Sequence, residues 1–211
     1  MAHLLHVEAS FAPEGSVSRS IGAIYVDAWR QHNPDGVITH RDLAVAPPPH
    51  LSWTVVSAGF VPPEQHSPEQ AEAVKIREEY IAEVEAADEY LLTVPMYNWS
   101  IPSTLKAWLD HVILLGRTTG LPNGCGVMTG KKVTVVTAQG GAYGPGAPKE
   151  GWDHQRPYLA HALEALGGTD VEFVNVEMTL STTNPELAQF TNLFESSRAA
   201  AEQAVRARAA A

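Results

Sequence analysis

Short runs of apolar or alternating residues recur along the chain at wide intervals. Runs of this kind, bounded by polar and turn-forming residues, are typical of β-strands. They predict strands at Leu4–Glu8, Val37–Arg41, Tyr90–Val94, Val133–Thr137 and Val171–Met178. The run that begins at Tyr90 is apolar almost throughout, which indicates a strand covered on both faces.

Between these runs, apolar residues return every three or four positions, which is the spacing of amphipathic helices. Helices are predicted at Ser18–His32, Pro68–Ala87, Ser103–Leu115, Pro157–Leu166 and Pro185–Arg208. Strands and helices alternate along the chain, and this order favours a parallel sheet with helices on both faces. We therefore predict an α/β fold, a flavodoxin-like doubly wound sheet of five strands in the order 2-1-3-4-5.

A proline-rich segment interrupts the alternation between Pro47 and Pro63. A linker between two domains would have this composition, but the strand–helix pattern resumes after it. Neither half of the chain alone has enough strands for such a sheet. We therefore predict a surface excursion within one domain that spans residues 1–211.

Composition narrows the class of protein. The 211 residues are 45% apolar, and 24 acidic against 14 basic side chains give a formal charge of −10. This charge argues against nucleic acid or an anionic membrane as a partner, because both require a basic face. The single cysteine, Cys125, suits a reducing compartment. The N-terminus lacks a signal-peptide pattern and no apolar run reaches the ~20 residues of a membrane span, so we expect a soluble cytoplasmic protein.

The loop after the first predicted strand carries hydroxyl groups into the start of a helix. Ser10, Ser16 and Ser18 lie in this loop, and Arg19 follows them. A helix N-terminus offers unpaired backbone N–H groups and the positive end of the helix dipole, so it can bind a phosphate. Arg19 could supplement that site. The alternative is that Ser16 or Ser18 only caps the helix.

The loop after the third predicted strand combines aromatic and amide side chains. It reads Pro95-Met96-Tyr97-Asn98-Trp99, and Pro102 follows shortly before the next helix. This composition suits a flat ligand that also forms hydrogen bonds. The alternative is that Tyr97 and Trp99 pack locally at the edge of the core.

The loop after the fourth predicted strand contains adjacent glycines. Gly140 and Gly141 would let the backbone approach a ligand closely, and Gln139 could bond to the edge of a heterocycle. A simple glycine-rich turn is the alternative. Because the three loops follow parallel strands, they share one edge of the sheet, where such folds bind ligands. Together they predict a site for a mononucleotide with a planar ring.

A longer motif resembles a known family. The segment Pro95-Met96-Tyr97-Asn98-Trp99-Ser100-Ile101-Pro102-Ser103-Thr104-Leu105-Lys106 is similar to the signature of the FMN-dependent NADH-azoreductase family of flavodoxin-like quinone reductases. Arg41-Asp42-Leu43, and Thr129-Gly130-Lys131-Lys132 before Gly140-Gly141, match in order and spacing. The resemblance covers nearly the whole chain. It implies a homodimer that binds FMN and reduces quinones, and secondarily azo compounds, with NADH or NADPH.

The resemblance assigns roles to the three loops. The serine loop would bind the FMN phosphate, the Met-Tyr-Asn-Trp loop would line the isoalloxazine, and the glycine loop would lie along the other ring edge. The implied cofactor site consists of Ser10, Ser16, Val17, Ser18, Pro95, Met96, Tyr97, Asn98, Trp99, Ala138, Gln139, Gly140 and Gly141. Trp99, where the family commonly has Phe, would also form part of an aromatic wall for the acceptor.

The chain departs from the family pattern at two places. It has Ala138-Gln139 where the family usually has Ser-Arg, which removes a cation from the ring edge. After Gly116 it has Arg117-Thr118-Thr119-Gly120-Leu121-Pro122 in place of an aromatic-rich loop. These departures leave two further functions open: a specialised biosynthetic flavin reductase acting on an aromatic or quinone intermediate, and an FMN electron carrier without turnover of its own.

Other residues offer weaker signals. Nine histidines are dispersed and form no metal-binding spacing, so we expect no metal site and no protein nucleophile. Four glutamates, Glu78, Glu79, Glu83 and Glu85, are expected to form a solvated helix face. A structural protein without flavin is the least favoured alternative.

Overall fold

The computed structural model describes residues 1–211 except the side chain of Asn123. Its five strands are His3–Glu8 (β1), Val37–Asp42 (β2), Glu89–Pro95 (β3), Lys132–Ala138 (β4) and Asp170–Val176 (β5). All strand pairs are parallel, and the order in the sheet is β2-β1-β3-β4-β5. The predicted five-stranded doubly wound sheet and its strand order are therefore confirmed.

The helices cover both faces of this sheet. The α-helices are Val17–His32 (α1), Trp53–Ala58 (α2), Pro68–Ala73 (α3), Lys75–Ala86 (α4), Ser103–Val112 (α5), Gln155–Ala165 (α6) and Thr191–Ala210 (α7). Short 3-10 turns lie at Pro63–Gln65, Pro122–Gly124, Thr179–Thr182 and Pro185–Phe190. None of the helices that the structure describes is both long and apolar enough to span a bilayer.

Several predicted helix limits are wrong. The helix predicted at Pro68–Ala87 is two helices, because a capping box between Ser67 and Gln70 fixes a short first helix and the Val74 N–H is shared between two carbonyls. The helix predicted from Pro185 begins as a 3-10 turn and becomes α-helical only at Thr191. Helix α2, capped by Ser52, lies inside the segment predicted as an irregular excursion.

Two apolar cores lie on the two faces of the sheet. On one face α1 and α7 pack over the central strands through Tyr25, Trp29 and Val205, all fully buried. On the other face α4, α5 and α6 bury Trp108 and Leu163, also fully. Burial of this kind supplies most of the stability of the fold. It also holds the strands in a register that brings their carboxyl ends to one edge.

Close packing fixes the position of α1 on the sheet. A Cβ atom at Gly22 would lie 2.5 Å from Cγ2 of Thr93 on β3, so a larger residue there would push α1 away. The start of α1 is therefore held directly beside the ends of β1 and β3.

The amino end of the sheet is closed by side chains. Glu89, the first residue of β3, accepts hydrogen bonds from the Tyr25 hydroxyl and, at 3.0 Å, from Nε1 of Trp29. Nζ of Lys132 lies 3.2 Å from the same carboxylate. Burial, reinforced by Glu89, raises the pKa of Tyr25 far above its ordinary value, so its hydroxyl stays a donor.

Candidate functional site

A cavity of about 580 Å³ opens at the carboxyl end of the sheet, between the ends of β1, β3 and β4. The three loops singled out in the sequence converge on it, with the 3-10 turn after β5 as a fourth wall. Its lining residues are Ser10, Ala12, Gly15, Ser16, Val17, Ser18, Pro95, Met96, Tyr97, Asn98, Ala138, Gly140, Thr179, Leu180, Thr182 and Thr183.

The first wall is the N-terminus of α1. Ser16 is the N-cap, and its Oγ accepts a 3.3 Å hydrogen bond from the Arg19 N–H. Oγ of Ser18 lies 3.3 Å from Oγ of Ser16. The first backbone N–H groups of a helix have no acceptor within it, and the first turn here carries no acidic residue. Ser16 therefore both caps the helix and lines a cavity suited to an anion.

Arg19 does not supplement this anion site. Its guanidinium contacts Glu8, donates to both carboxylate oxygens of Asp42 at 2.7 and 2.9 Å, and donates to the Ser10 carbonyl at 2.7 Å. Burial opposes the ionisation of Asp42, but the bonds from Arg19 and from two backbone N–H groups outweigh it and lower the pKa of Asp42 to about 2. Arg19 thus holds the Ser10 loop in place instead of facing the cavity.

Two of the histidines are not dispersed in space. His40 Nε2 lies 2.9 Å from one Glu8 oxygen, and His6 Nε2 lies 3.7 Å from the other. Burial lowers the pKa of His6 to about 4, whereas the hydrogen bond to Glu8 raises the pKa of His40. This cluster lies beneath the serine loop and shares Glu8 with Arg19.

The second wall is a tight turn. Tyr97 and Ser100 exchange two backbone hydrogen bonds of 3.0 Å, and the residues between them, Asn98 and Trp99, both have positive φ, +48° and +64°. Positive φ at both central residues is the pattern of a type I′ turn. Asn adopts it readily, but for Trp it is strained. The turn presents Tyr97 and Asn98 to the cavity.

Trp99 does not line the cavity. Its ring packs edge-on against Trp152, with 5.3 Å between centroids, and its carbonyl accepts a 2.9 Å bond from the His154 N–H. Trp99 thus packs outside this cavity, and the role predicted for it in the cofactor site and the aromatic wall stays a prediction. Phe11 stacks on Tyr97, with centroids 5.6 Å apart and planes 9° apart.

Phe11 was not among the site residues predicted from the sequence, although it directly follows Ser10. With Tyr97, Asn98 and Tyr158 it lines a second cavity of about 610 Å³. This cavity and the first share Tyr97 and Asn98, so the tight turn separates them.

The third wall is formed by backbone more than by side chains. Gln139 is buried, donates to Oδ2 of Asp153 at 3.0 Å and accepts from Nδ2 of Asn175 at 3.1 Å. Each end of the amide has one partner and can form a second hydrogen bond, so the predicted bond from Gln139 to a ligand stays a prediction. A Cβ at Gly140 would lie 2.7 Å from Cδ1 of Leu180, so a larger residue there would displace the Leu180 side chain. Gly141 lines a neighbouring apolar cavity and not this one.

The fourth wall was not predicted. It is the turn Thr179–Thr182 together with Thr183, which follows β5 after Met178 adopts a positive φ of +57°. The sequence did contain a signal for this wall. The hydroxyl-rich stretch Thr179–Thr183 follows the fifth predicted parallel strand, so it must lie at the same edge of the sheet as the other three loops.

The expected solvated glutamate face is confirmed for Glu78, Glu79 and Glu85, which are exposed, whereas Glu83 is half-buried. Arg41 contacts Glu79 and Glu83, and Arg117 contacts Glu78 and, at 3.0 Å, Glu85. Arg117, in the loop that departs from the family pattern, therefore ties that loop to α4.

The sheet order and the position of the cavity define a flavodoxin-like α/β protein. Comparison with protein families agrees: the model described as "Flavodoxin-like fold" matches residues 2–198, and the chain belongs to this family.

Individual relatives are close in sequence. A protein of Parafrankia sp. named "FMN-dependent NADH:quinone oxidoreductase" is 66% identical over the full length of both chains. A protein of the same name from Streptomyces avermitilis is 43% identical, with 99% of this chain and 96% of the relative covered.

Solved structures show the same fold. An azoreductase from Bacillus anthracis superposes with a TM-score of 0.86 at 24% identity, over 100% of this chain and 99% of the other. A structure of an FMN-dependent NADH-azoreductase from Bacillus anthracis in complex with FMN gives a TM-score of 0.82 at 21% identity, over 99% of this chain and 100% of the other.

Proposed function

We propose that this chain is an FMN-dependent oxidoreductase that passes two electrons from NADH through FMN to quinones, and secondarily to azo compounds. The observation that carries the proposal is the cavity of about 580 Å³, which joins a helix N-terminus at one end to flat loop walls at the other. The names of the relatives that are 66% and 43% identical support the same activity.

The cavity fits FMN better than a dinucleotide. One helix N-terminus lined by Ser10, Ser16 and Ser18 provides donors for one phosphate monoester. Pro95, Met96, Tyr97 and Asn98 would lie on one side of the ring, with Ala138 and Gly140 along its edge. Val17 would contribute its backbone N–H. In this proposal Trp99, Gln139 and Gly141 complete the site around these residues.

The protein's part in the reaction is to bind, orient and exclude water. FMN, when bound, supplies the reversible two-electron chemistry. NADH gives up a hydride, and the quinone gains two electrons and two protons, the second from water, to leave NAD⁺ and a hydroquinone. The stacked rings of Phe11 and Tyr97 offer a flat wall for an aromatic reactant. No protein nucleophile is required.

The proposal extends to assembly and setting. Phe11 and Trp152 are 46% and 49% exposed near the cavity, and a second copy of the chain would cover such rings. We therefore propose a homodimer of single-domain chains, 1–211, that acts in the cytoplasm and prefers NADH to NADPH. The names of the relatives support NADH.

A direct test begins with the visible spectrum of the purified protein. We expect one FMN per chain, bleaching on anaerobic addition of NADH, and recovery of the colour when a simple naphthoquinone is added. Steady-state turnover should show parallel lines in a double-reciprocal plot, because one site is used by both substrates. A protein that takes up no FMN contradicts the proposal. Bleaching without catalytic turnover would indicate an electron carrier instead.

A further inference from the structure

A third cavity, of about 430 Å³, adjoins the proposed flavin cavity and is mostly apolar. Its apolar side chains come from the segment after β5 and from the start of α7: Met178, Leu180, Leu187, Phe190 and Leu193. Leu180 and Leu193 are 50% and 56% exposed, which is unusual for neighbouring large apolar residues. Apolar surface gathered in a concave site indicates a ligand.

This cavity directly adjoins the proposed flavin site, with Leu180 between them. Gly140 and Leu180 line both cavities. The Leu180 N–H donates a 3.3 Å hydrogen bond to the Gly140 carbonyl, and the absence of a side chain at Gly140 leaves room for the Leu180 side chain. A reactant that lies against the ring edge at Gly140 could therefore extend a substituent past Leu180.

The side chains that line this cavity indicate what kind of substituent it can bind. Polar side-chain groups in this cavity belong to Tyr143 and Lys149, and no carboxylate or amide lies among its described lining residues. Nζ of Lys149 lies 5.8 Å from the Trp99 ring centroid and 6.0 Å from that of Trp152, so the ammonium group is drawn toward those rings. A sugar or a base would lose many hydrogen bonds to water here, and the side chains of Tyr143 and Lys149 could replace only a few of them. A hydrocarbon chain would lose none.

We infer that this cavity binds the aliphatic side chain of a lipophilic quinone, such as an isoprenoid-substituted naphthoquinone, whose ring is reduced at the flavin. This inference rests on the proposed function, and it names the class of acceptor. The electron balance is that of the ring alone, since the side chain takes no part in the chemistry.

The test is a series of naphthoquinones with the same ring and zero, one or two isoprene units, assayed with the FMN-loaded enzyme. Each buried methylene is expected to raise kcat/KM up to about fourfold until the cavity is full. Leu193→Asn should reduce the gain from the first isoprene unit at least tenfold and leave kcat/KM for the unsubstituted quinone unchanged. The matched control is Leu115→Asn, because Leu115 is 82% exposed and outside this cavity; it should behave as wild type.

Several outcomes would overturn the inference. A series without dependence on chain length excludes a side-chain subsite. A higher KM for NADH in Leu193→Asn, with unchanged quinone kinetics, assigns the cavity to the dinucleotide. A change from dimer to monomer in light scattering of that variant assigns it to a second copy. Failure of the unsubstituted quinone to be reduced at all contradicts the proposed function itself, so the two failures can be told apart.

Discussion

The two ends of the sheet are built from the same strands but by opposite means. At the amino end, Glu89 joins Tyr25, Trp29 and Lys132, and their polar atoms meet one another. At the carboxyl end, the loops leave the N-terminus of α1 facing an open cavity. In the first case polar groups satisfy each other; in the second they are left for a ligand.

This difference separates stability from binding. Side chains at the closed end contribute to the free energy of unfolding and have no path to the ligand. Groups at the open end contribute less to the fold, because their partners are expected to arrive with the cofactor. Substitutions at the two ends should therefore change different measurements.

The largest effect is expected at the closed end. Glu89→Ala leaves the Tyr25 hydroxyl, the Trp29 N–H and the Lys132 ammonium without their shared acceptor, and should lower the free energy of unfolding by about 3–5 kcal/mol. Urea unfolding measures this change, and an FMN titration of the folded variant should be unaltered. Glu172→Ala is the control, because the Glu172 side chain is 42% exposed and Arg208 keeps its bond to Asp170 without it, so the loss should be less than about 1 kcal/mol. If Glu89→Ala also bound FMN more weakly, the two ends of the sheet would not contribute separately to stability and to binding.

At the open end the expected change is in binding. Ser16→Ala combined with Ser18→Ala should weaken FMN binding by about 1–3 kcal/mol, through lost hydrogen bonds to a charged phosphate. Because Ser16 is the N-cap of α1, about 1 kcal/mol of folding stability should go with it.

Ser52→Ala provides the matched control for this pair. Ser52 caps α2 with the same geometry, its Oγ accepting from the Val55 N–H at 3.3 Å, and it lies outside the cavity. Ser52→Ala should lower the free energy of unfolding about as much as the double variant does and leave the FMN affinity unchanged. Equal FMN affinity in the double variant and in Ser52→Ala would place the phosphate elsewhere.

Acid should lower the free energy of unfolding through protonation of His6, which lies beside Glu8 near the carboxyl end of β1. Its pKa is about 4 in the folded protein and about 6.5 when exposed, so protons bind the unfolded chain more tightly. This contribution is complete above pH 6.5 and is lost as the pH falls toward 4. Between pH 6.5 and 4.5 the loss should be about 2 kcal/mol.

The pKa of the neighbouring His40 is shifted in the opposite direction, so the two histidines change stability in different pH ranges and can be told apart. Its pKa is raised, so its contribution is complete below its ordinary value of 6.5 and lost as the pH rises through the folded value. Urea unfolding from pH 4.5 to 8 should therefore show a flatter acid limb in His6→Leu and a flatter alkaline limb in His40→Gln. An unchanged acid limb in His6→Leu would remove His6 from the explanation.

The smallest expected effect concerns the tight turn. Asn98→Ala places a less tolerant residue at a φ of +48° and should lower the free energy of unfolding by about 1 kcal/mol, whereas Asn98→Gly should not. FMN affinity then tests the side chain itself. If both variants bind FMN more weakly, the amide matters. If only Asn98→Ala does, the backbone of the turn matters.

The sequence revealed the parts of this architecture that depend on local periodicity. Strand and helix patterns placed three loops at one edge, and Ser16, Tyr97 and Gly140 all line the cavity there. The common edge of the three loops was predictable because a parallel strand fixes the direction in which its loop emerges, whereas the binding roles of these residues stay predictions.

The sequence could not show those contacts that depend on partners distant in the chain or on unusual backbone geometry. Trp99 turns away because two consecutive residues adopt positive φ, which no hydrophobic pattern encodes. Gln139 is occupied by Asp153 and Asn175, and Arg19 by Asp42, pairs that form only once the chain has folded. A charged or amide side chain in a promising loop does not reveal whether it faces the ligand or its own scaffold.

The strand order also has a consequence during synthesis. β1 lies between β2 and β3 in the sheet, and its Leu4 pairs with Glu89 of β3, 85 positions later in the chain. A ribosome adding roughly 5–20 residues per second would leave that edge of β1 without its partner for about 4–17 s. Throughout that interval the nascent chain exposes an apolar strand edge to other chains. Pairing with β2 covers only the opposite edge of β1, so this edge stays open to wrong pairing until β3 has emerged.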